Sequence, residues 1–375
     1  MNSKQSRRCV VIGGGIAGAF TAHFLAGRGF AVTIVERGEI AGEASGFNPG
    51  GINPLHGAAI PGAMQPLAWK AYQLHRNLWD DLRTCSGISF TARKCTRIHL
   101  ALDETDLERL ERAKELHCAS PGIPAHWIER DQMLAREPRL NPAMIRALWT
   151  EGNARVDSAP LTRAVVQSAL ERGASLMRDE VLGIERSGDR ASRVLTASSA
   201  LDCEAVVVAT GPWVAGPSEW LGVPLPVEPV KGDLLLAEID GVAHSYTWRD
   251  GAVYGDGSDR AWLGGTEECA GFDRAPSEEA RRLILERASQ VFPELVEARI
   301  VQQTSALRPV TPDGIPIVGR APGWENAFLA LGGGRKGMLF GPVMGAAVAD
   351  LIANGQTALP IEPCNPERFT HVASK

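Results

Sequence analysis

The sequence predicts an α/β fold with an α+β second domain interleaved into it, and three observations carry the prediction. Within the first forty residues an apolar strand, a Gly-rich turn, an apolar helix and a second strand follow one another (CVVIGGG, IAGAFTAHFLAGRG, FAVTIVER). The strand-into-glycine pattern returns in CEAVVVATGPWV and again in AFLALGGG near the C-terminus. Between those returns lies a β-branched stretch with Gly/Asp turns, from LPVEPVKGDLLLAEI to VYGDGSDRAWLGGT. Strand-helix-strand alternation builds a parallel sheet covered by helices, whereas the turn-punctuated stretch builds an antiparallel one.

The remaining elements follow in chain order. Residues 44 to 62, ASGFNPGGINPLHGAAIPG, are dense in Gly, Pro, Asn and Ser and predict a long irregular loop, of a length that in compact proteins carries function. Helical periodicity resumes in PLAWKAYQLHRNLWDDL and in ETDLERLERAKEL. VDSAPLTRAVVQSALERGA reads as a capped helix ending at Gly173, with strand-like pieces after it, and SEEARRLILERASQVF as a charged helix. The last helix is expected to begin near Gly341 and Pro342, since proline favours the first helical turn. With 375 residues the chain suits two domains. No repeat, low-complexity tract or linker separates them, so the expected division is discontinuous: 1–84, 150–218 and 304–375 in one domain, 85–149 and 219–303 in the other.

Composition excludes some classes of function. The chain is 44% apolar and 22% charged with a net charge of −5, which gives nucleic acid or membrane no electrostatic hold. Seven scattered cysteines without a Cys-x-x-Cys pair indicate neither a disulfide framework nor a zinc site, and a cytoplasmic location is expected. The start MNSKQSRRCVVIGGG has the basic-then-apolar order of a signal peptide, but Gly13, Gly14 and Gly15 break the apolar run. No eighteen uninterrupted apolar residues occur, so no membrane span is expected. Oligomeric state is not legible.

Gly13-x-Gly15-x-x-Gly18 follows a strand and opens a helix, with Glu36 ending the second strand about twenty residues on, which completes the Rossmann-like dinucleotide fingerprint. The first glycine allows the tight turn, the second admits a pyrophosphate, and the third lets helix and strand pack closely. Ile16 and Ala17 open the helix whose N–H groups and dipole face the phosphates, and Glu36, followed by Arg37, would accept from ribose hydroxyls. FAD and NAD share this fingerprint. The loop from 44 to 62 and the two later strand-to-glycine turns depart from the regular βα units of an NAD dehydrogenase and favour FAD.

VVIGGGIAG with Glu36, EASGFNPGG, RVDSAPLTRAV, VVVATGPWV, VKGDLLL, LGGTEE with GFD, LRPVTPDGIPIVG and GGGRKGMLFGP together resemble the D-amino-acid oxidase-like superfamily of FAD enzymes, over nearly the whole chain. That group contains glycine oxidase, sarcosine oxidase and D-amino-acid dehydrogenases. The resemblance implies a Rossmann-like FAD domain made of separated segments, a substrate domain with a mixed or antiparallel sheet, and the flavin between them. It implies that Ala44, Ser45, Asn48, Gly50 and Gly51 line flavin and pyrophosphate, that Val181 contacts the adenine region, and that Ala209, Gly211 and Trp213 lie near the dinucleotide. Gly333, Gly334, Arg335, Lys336, Gly337 and Met338 would meet the reactive end, with Gly332 to Gly334 letting the strand end close to the ring. Some relatives carry flavin on a cysteine near the LRPVTPDG stretch; TSALRPV has none, so non-covalent FAD is expected.

The reaction implied is oxidation of a C–N bond in a small amino acid or secondary amine by hydride transfer to flavin N5, giving an imine that hydrolyses, with O2 as acceptor. No nucleophile or metal is required. Arg308 occupies the place of the carboxylate-binding arginine, and a guanidinium offers two parallel hydrogen bonds to that group. Arg335 is placed near the ring or substrate, while Lys336 contacts the ring or a water or points to solvent. The position of a substrate-binding tyrosine falls on Ala252, leaving Tyr246, or else Tyr254, as the neighbouring hydroxyl. His56 has the pKa range to take a proton from a substrate ammonium, and Trp248 with Met338 could shape an apolar pocket. Three alternatives stand beside this reading: a D-amino-acid dehydrogenase passing electrons to a quinone or protein, a tRNA wobble-uridine modification oxidoreductase, and a non-catalytic flavin-binding protein.

Overall fold

The computed structural model describes residues 7–370. The predicted βαβ unit is strand Arg8–Ile12, helix Ile16–Ala26 and strand Ala31–Glu36. Strand Arg8–Ile12 is central in a six-stranded sheet ordered 317–320, 327–331, 205–208, 8–12, 31–36, 175–178. Every neighbour pair is parallel except Ile317–Arg320 against Ala327–Leu331. The continuous apolar runs VVI and AVVV are explained by cover on both faces. Val11 and Val207 pack with helices Ile16–Ala26, Ser158–Glu171 and Gly337–Asn354. Val10, Val206 and Val208 pack against a three-stranded antiparallel sheet, Val181–Ser187, Arg190–Thr196 and Ala200–Asp202.

The C-terminal helix does not begin at Gly341 and Pro342. It runs Gly337–Asn354 after a 3₁₀ turn Gly334–Lys336, with Pro342 inside it. Proline has no N–H, so Pro342 leaves the carbonyl of Met338, four residues earlier, without its helical donor. His75 Nε2, reaching from helix Gln65–Ser86, donates to that carbonyl at 2.7 Å. Desolvation lowers the His75 pKa to about 4, so the ring is neutral and donates as its Nε2–H tautomer. The helix is long and apolar enough to cross a membrane, but most of it is buried in the protein, where Phe20 backbone approaches Gly345 so closely that a Cβ would sit 2.6 Å away.

The second sheet has nine strands, ordered 300–310, 228–238, 260–264, 251–254, 245–248, 92–101, 146–156, 51–52, with Ala125–Glu129 also on Arg146–Val156. It is antiparallel except where Ser245–Trp248 runs parallel to Ala92–Ala101, the mixed sheet expected. Strands Arg146–Val156 and Ile300–Val310 run through the boundaries read at 149/150 and 303/304, and Gly51–Ile52 adds to the same sheet from within the first segment. Continuous ladder hydrogen bonding carries these strands across, so a change of composition does not mark where they end. One face of this sheet packs Ile98, Leu100, Tyr246, Val253 and Leu263 into a core with Phe292. Its other face looks onto a cavity shared with the first sheet.

Candidate active site

The cavity holds about 1970 Å³, roughly twice the upper end for an ordinary small-molecule pocket. One end is the glycine turn. Gly13 has φ +110°, and a Cβ there would lie 2.4 Å from the carbonyl oxygen of Ala209. A Cβ on Gly18 would lie 2.0 Å from the oxygen of Gly13, so Gly18 supports the turn from behind and does not line the cavity. Glu36 accepts from the N–H of Gly14 and of Gly38, both at 2.7 Å, which fixes its carboxylate and leaves each oxygen capacity for one more donor. Ser45 Oγ accepts the Ile16 N–H at 2.9 Å, and Ala17 and Gly18 carry first-turn N–H groups with no intrahelical acceptor. Val181, Ala209 and Gly211 line the same end, where the Arg37 guanidinium lies 4.7 Å over the Trp213 ring.

Two loop residues stand differently from their expected roles. The Asn48 amide donates to the Ala44 carbonyl, and its oxygen accepts from the Gly50 N–H and the Ser158 hydroxyl. It borders the cavity with its hydrogen bonds already used to brace the loop. Gly50 lies behind the wall, where a Cβ would be 1.7 Å from the Val156 oxygen; it joins loop to sheet. Ala44, Gly51, Gly333, Gly334, Lys336, Gly337 and Met338 all line the cavity.

The other end is the face of the nine-stranded sheet. Register decides the tyrosine. Tyr246 pairs with Val253, and Thr247 with Ala252, so alternate residues take opposite faces. Thr247, Ala252 and Tyr254 line the cavity. Tyr246 lies on the core side, edge-on to Phe292 at 5.0 Å, and burial raises its pKa. Tyr246 therefore faces away from the cavity, against the expectation, and Tyr254 is the tyrosine that lines it. Trp248 shares the far face, donating to Asp106 at 2.8 Å, and shapes no part of the cavity.

Arg308 lines this wall half-buried. Its Nη1 donates to the Thr266 carbonyl at 2.9 Å, while Nε and Nη2 have no partner among the described residues. The guanidinium lies where a Cβ on Gly232 would come within 1.9 Å, so this glycine makes its berth. Desolvation lowers its pKa, with Glu267 opposing. Arg335 departs from expectation: its Nε and Nη2 form a two-pronged ion pair with Glu267, and its side chain is 66% exposed. Its fork is thus occupied at the cavity mouth.

Lys336 is half-buried, donating to the Asn53 carbonyl at 3.2 Å. Desolvation, then Arg97 and Arg335, lower its pKa to about 7. His56 faces the same space and is held well below its ordinary pKa, first by the Lys336 charge and then by desolvation. It is neutral at pH 7. Arg97 and His99 also line the cavity and were not anticipated from the sequence. They carry no motif, although alternation in TRIHLA, with Ile98 and Leu100 wholly buried, puts them together on the opposite face.

A glycine turn under a helix N-terminus, a fixed acidic residue after the second strand, and a desolvated guanidinium across the same cavity define a dinucleotide-dependent oxidoreductase. The chain belongs to the FAD dependent oxidoreductase (DAO) family, whose model matches residues 8–351. It is 30% identical to a glycine oxidase of Pseudomonas aeruginosa, covering 96% of this chain and 99% of that one. A D-amino acid dehydrogenase of Paramagnetospirillum magneticum is 28% identical over 97% and 99%. The crystal structure of glycine oxidase from Geobacillus kaustophilus superposes with a TM-score of 0.88 at 29% identity, over 96% of this chain and 98% of that one. The cofactor is FAD, and the chain is an enzyme, which sets aside the non-catalytic reading. The glycine turn, whose Cβ positions are closed by backbone, and the free acceptor capacity of Glu36 fit the adenosine diphosphate half of that cofactor.

Proposed function

We propose that this enzyme oxidises the C–N bond of a small amino acid or secondary amine that bears a carboxylate. The carrying observation is Arg308: a guanidinium fixed through Nη1 by the Thr266 and Lys231 carbonyls, with its Nε and Nη2 edge free on the cavity wall. That edge matches a carboxylate in two parallel hydrogen bonds. The names of its relatives support amine substrates. We assign the first sheet and its helices to the cofactor domain and the nine-stranded sheet to the substrate domain. No cysteine among the described residues lines the cavity, which supports non-covalent attachment.

FAD, when bound, supplies the two-electron sink for the oxidation. Arg308 holds the carboxylate, and Tyr254 offers a hydroxyl on the same wall. The substrate ammonium must lose a proton before its nitrogen lone pair can form the C=N bond. Lys336 is the group whose pKa suits that transfer, whereas His56 is too weak a base and serves as a neutral acceptor of hydrogen bonds. The N-terminus of helix Gly337–Asn354 opens on the cavity and favours negative charge there. The amine loses two electrons and two protons to become an imine, and water converts the imine to a carbonyl compound plus ammonia or a primary amine. With O2 as acceptor, the electrons and protons leave as hydrogen peroxide.

Two measurements check this reading. Peroxide formed in a 1:1 ratio with carbonyl product in air supports O2 as acceptor; carbonyl product only when a quinone is added assigns the dehydrogenase alternative. Lys336 must be unprotonated to take a proton, so kcat/KM is expected to rise with pH through about 7. In Lys336→Met that limb vanishes and only the ionisation of the substrate amine remains; a limb that persists assigns the proton transfer to another group.

A further inference from the structure

The guanidinium of Arg97 is placed on the cavity wall without a counter-ion. It lies 5.8 Å from the centre of the Tyr254 ring, and its Nε is buried with no hydrogen-bond partner. No carboxylate among the described residues lies within ion-pair distance of it. Four other arginines around the cavity contrast with this: Arg335 pairs with Glu267, Arg274 with Glu43, and Arg249 and Arg109 with Asp106. The groups that bear most on His56 are Lys336, Arg97, His99 and His117, and those on His99 are Arg97, His117 and Arg109; all are basic. A guanidinium N–H buried without a partner is costly. An anion entering beside Arg97 removes that cost.

The glycine turn and Glu36, which fit the adenosine diphosphate half of the cofactor, stand on the first sheet, whereas Arg97 stands on the second, its Nη2 3.7 Å from where a Cβ on Gly51 would lie. The floor beside Arg97 belongs to the substrate wall. Thr247 pairs with His99 and Ala252 with Thr247, while Gly264 pairs with Leu234 two residues from Gly232, beneath the Arg308 guanidinium. Small residues thus leave room between two guanidinium groups. Arg97 reaches across one strand to the strand of Tyr254, leaving two strand spacings, about 10 Å laterally, to the strand under Arg308. Glycine with one carboxylate at Arg308 leaves that space unused.

We propose that Arg97 binds a second carboxylate, so that the substrate is a dicarboxylic amine: an amino acid whose side chain or N-substituent ends in a carboxylate. This rests on the reading of Arg308 as the site of the first carboxylate. Arg97 takes no part in the oxidation; it anchors the distal end.

Two experiments on the FAD-loaded enzyme decide the matter. The first needs no turnover: titration with glutarate and with butyrate, followed by the change each makes in the flavin absorbance. Glutarate is expected to bind at least tenfold more tightly, and the preference to collapse in Arg97→Gln. The second compares kcat/KM for D-glutamate against D-glutamine, and for N-(2-carboxyethyl)glycine against N-propylglycine. For the pair that is turned over, the ratio is expected to fall about 10- to 100-fold in Arg97→Gln, the worth of one charge-assisted hydrogen-bonded contact, and to recover in part in Arg97→Lys. Glutarate binding no tighter than butyrate to the unmodified enzyme overturns the proposal, and so does an Arg97→Gln variant that loses both members of each pair equally. If no amine of either class is oxidised, the proposed activity fails, while the glutarate titration still decides the role of Arg97.

Discussion

Arg308→Ala is expected to keep its FAD and to lose about 10²- to 10⁴-fold in kcat/KM toward amines that bear a carboxylate. The estimate follows from two charge-assisted hydrogen bonds at about 1.5–3 kcal/mol each. Cofactor retention follows from place: Arg308 stands on the nine-stranded sheet, and the glycine turn and Glu36 belong to the other. Gly232→Ala reaches the same end indirectly, because its Cβ would fall within 1.9 Å of Arg308 Nη1 and displace the guanidinium. An Arg308→Ala enzyme with unchanged kcat/KM removes this residue from the site. Loss of flavin along with activity makes it structural.

Gly18→Ala is expected to give a chain that does not retain FAD. The added Cβ would meet the Gly13 oxygen at 2.0 Å, and Gly13 has no room to retreat, being closed on its other side by the Ala209 carbonyl. Both obstacles are backbone, so no rotamer change relieves them, and helix Ile16–Ala26 must back away from the strand it packs on. Overpacking of this kind costs about 1–3 kcal/mol of stability. The turn loses its shape as well, and each 1.4 kcal/mol of lost binding is about tenfold in affinity. Purified Gly18→Ala at wild-type flavin content contradicts the assignment of this turn.

These two sites differ in how far the sequence alone reveals them. Gly13, Gly15, Gly18 and Glu36 act through backbone geometry within one βαβ unit, so spacing along the chain is spacing in space. Arg308 is visible through resemblance, but its free edge is not, because Gly232 reaches it from a neighbouring strand and Thr266 from the segment that follows strand Arg260–Gly264. The Arg335 role is hidden for the same reason, its partner Glu267 being 68 residues away. Pro342 misleads in the opposite sense: the rule that proline starts or ends helices holds for an unaided helix, and His75, 263 residues from Met338, supplies the donor that proline lacks. Tyr246 and Tyr254 are equivalent by composition. Only the register against Val253 and Ala252 shows that one faces Phe292 and the other the cavity. Arg97 belongs to no motif, and its significance is the absence of a partner, which a linear sequence does not display.

The central claim is that one cavity brings FAD and the carboxylate of an amine together through Arg308. Anaerobic mixing of the holoenzyme with a panel of amines, with flavin absorbance followed in time, tests it most directly. The account predicts bleaching by amino acids or N-substituted glycines and none by the same amines with the carboxylate removed or amidated, with the selectivity lost in Arg308→Ala. Equal bleaching by an amine and its decarboxylated counterpart would contradict it.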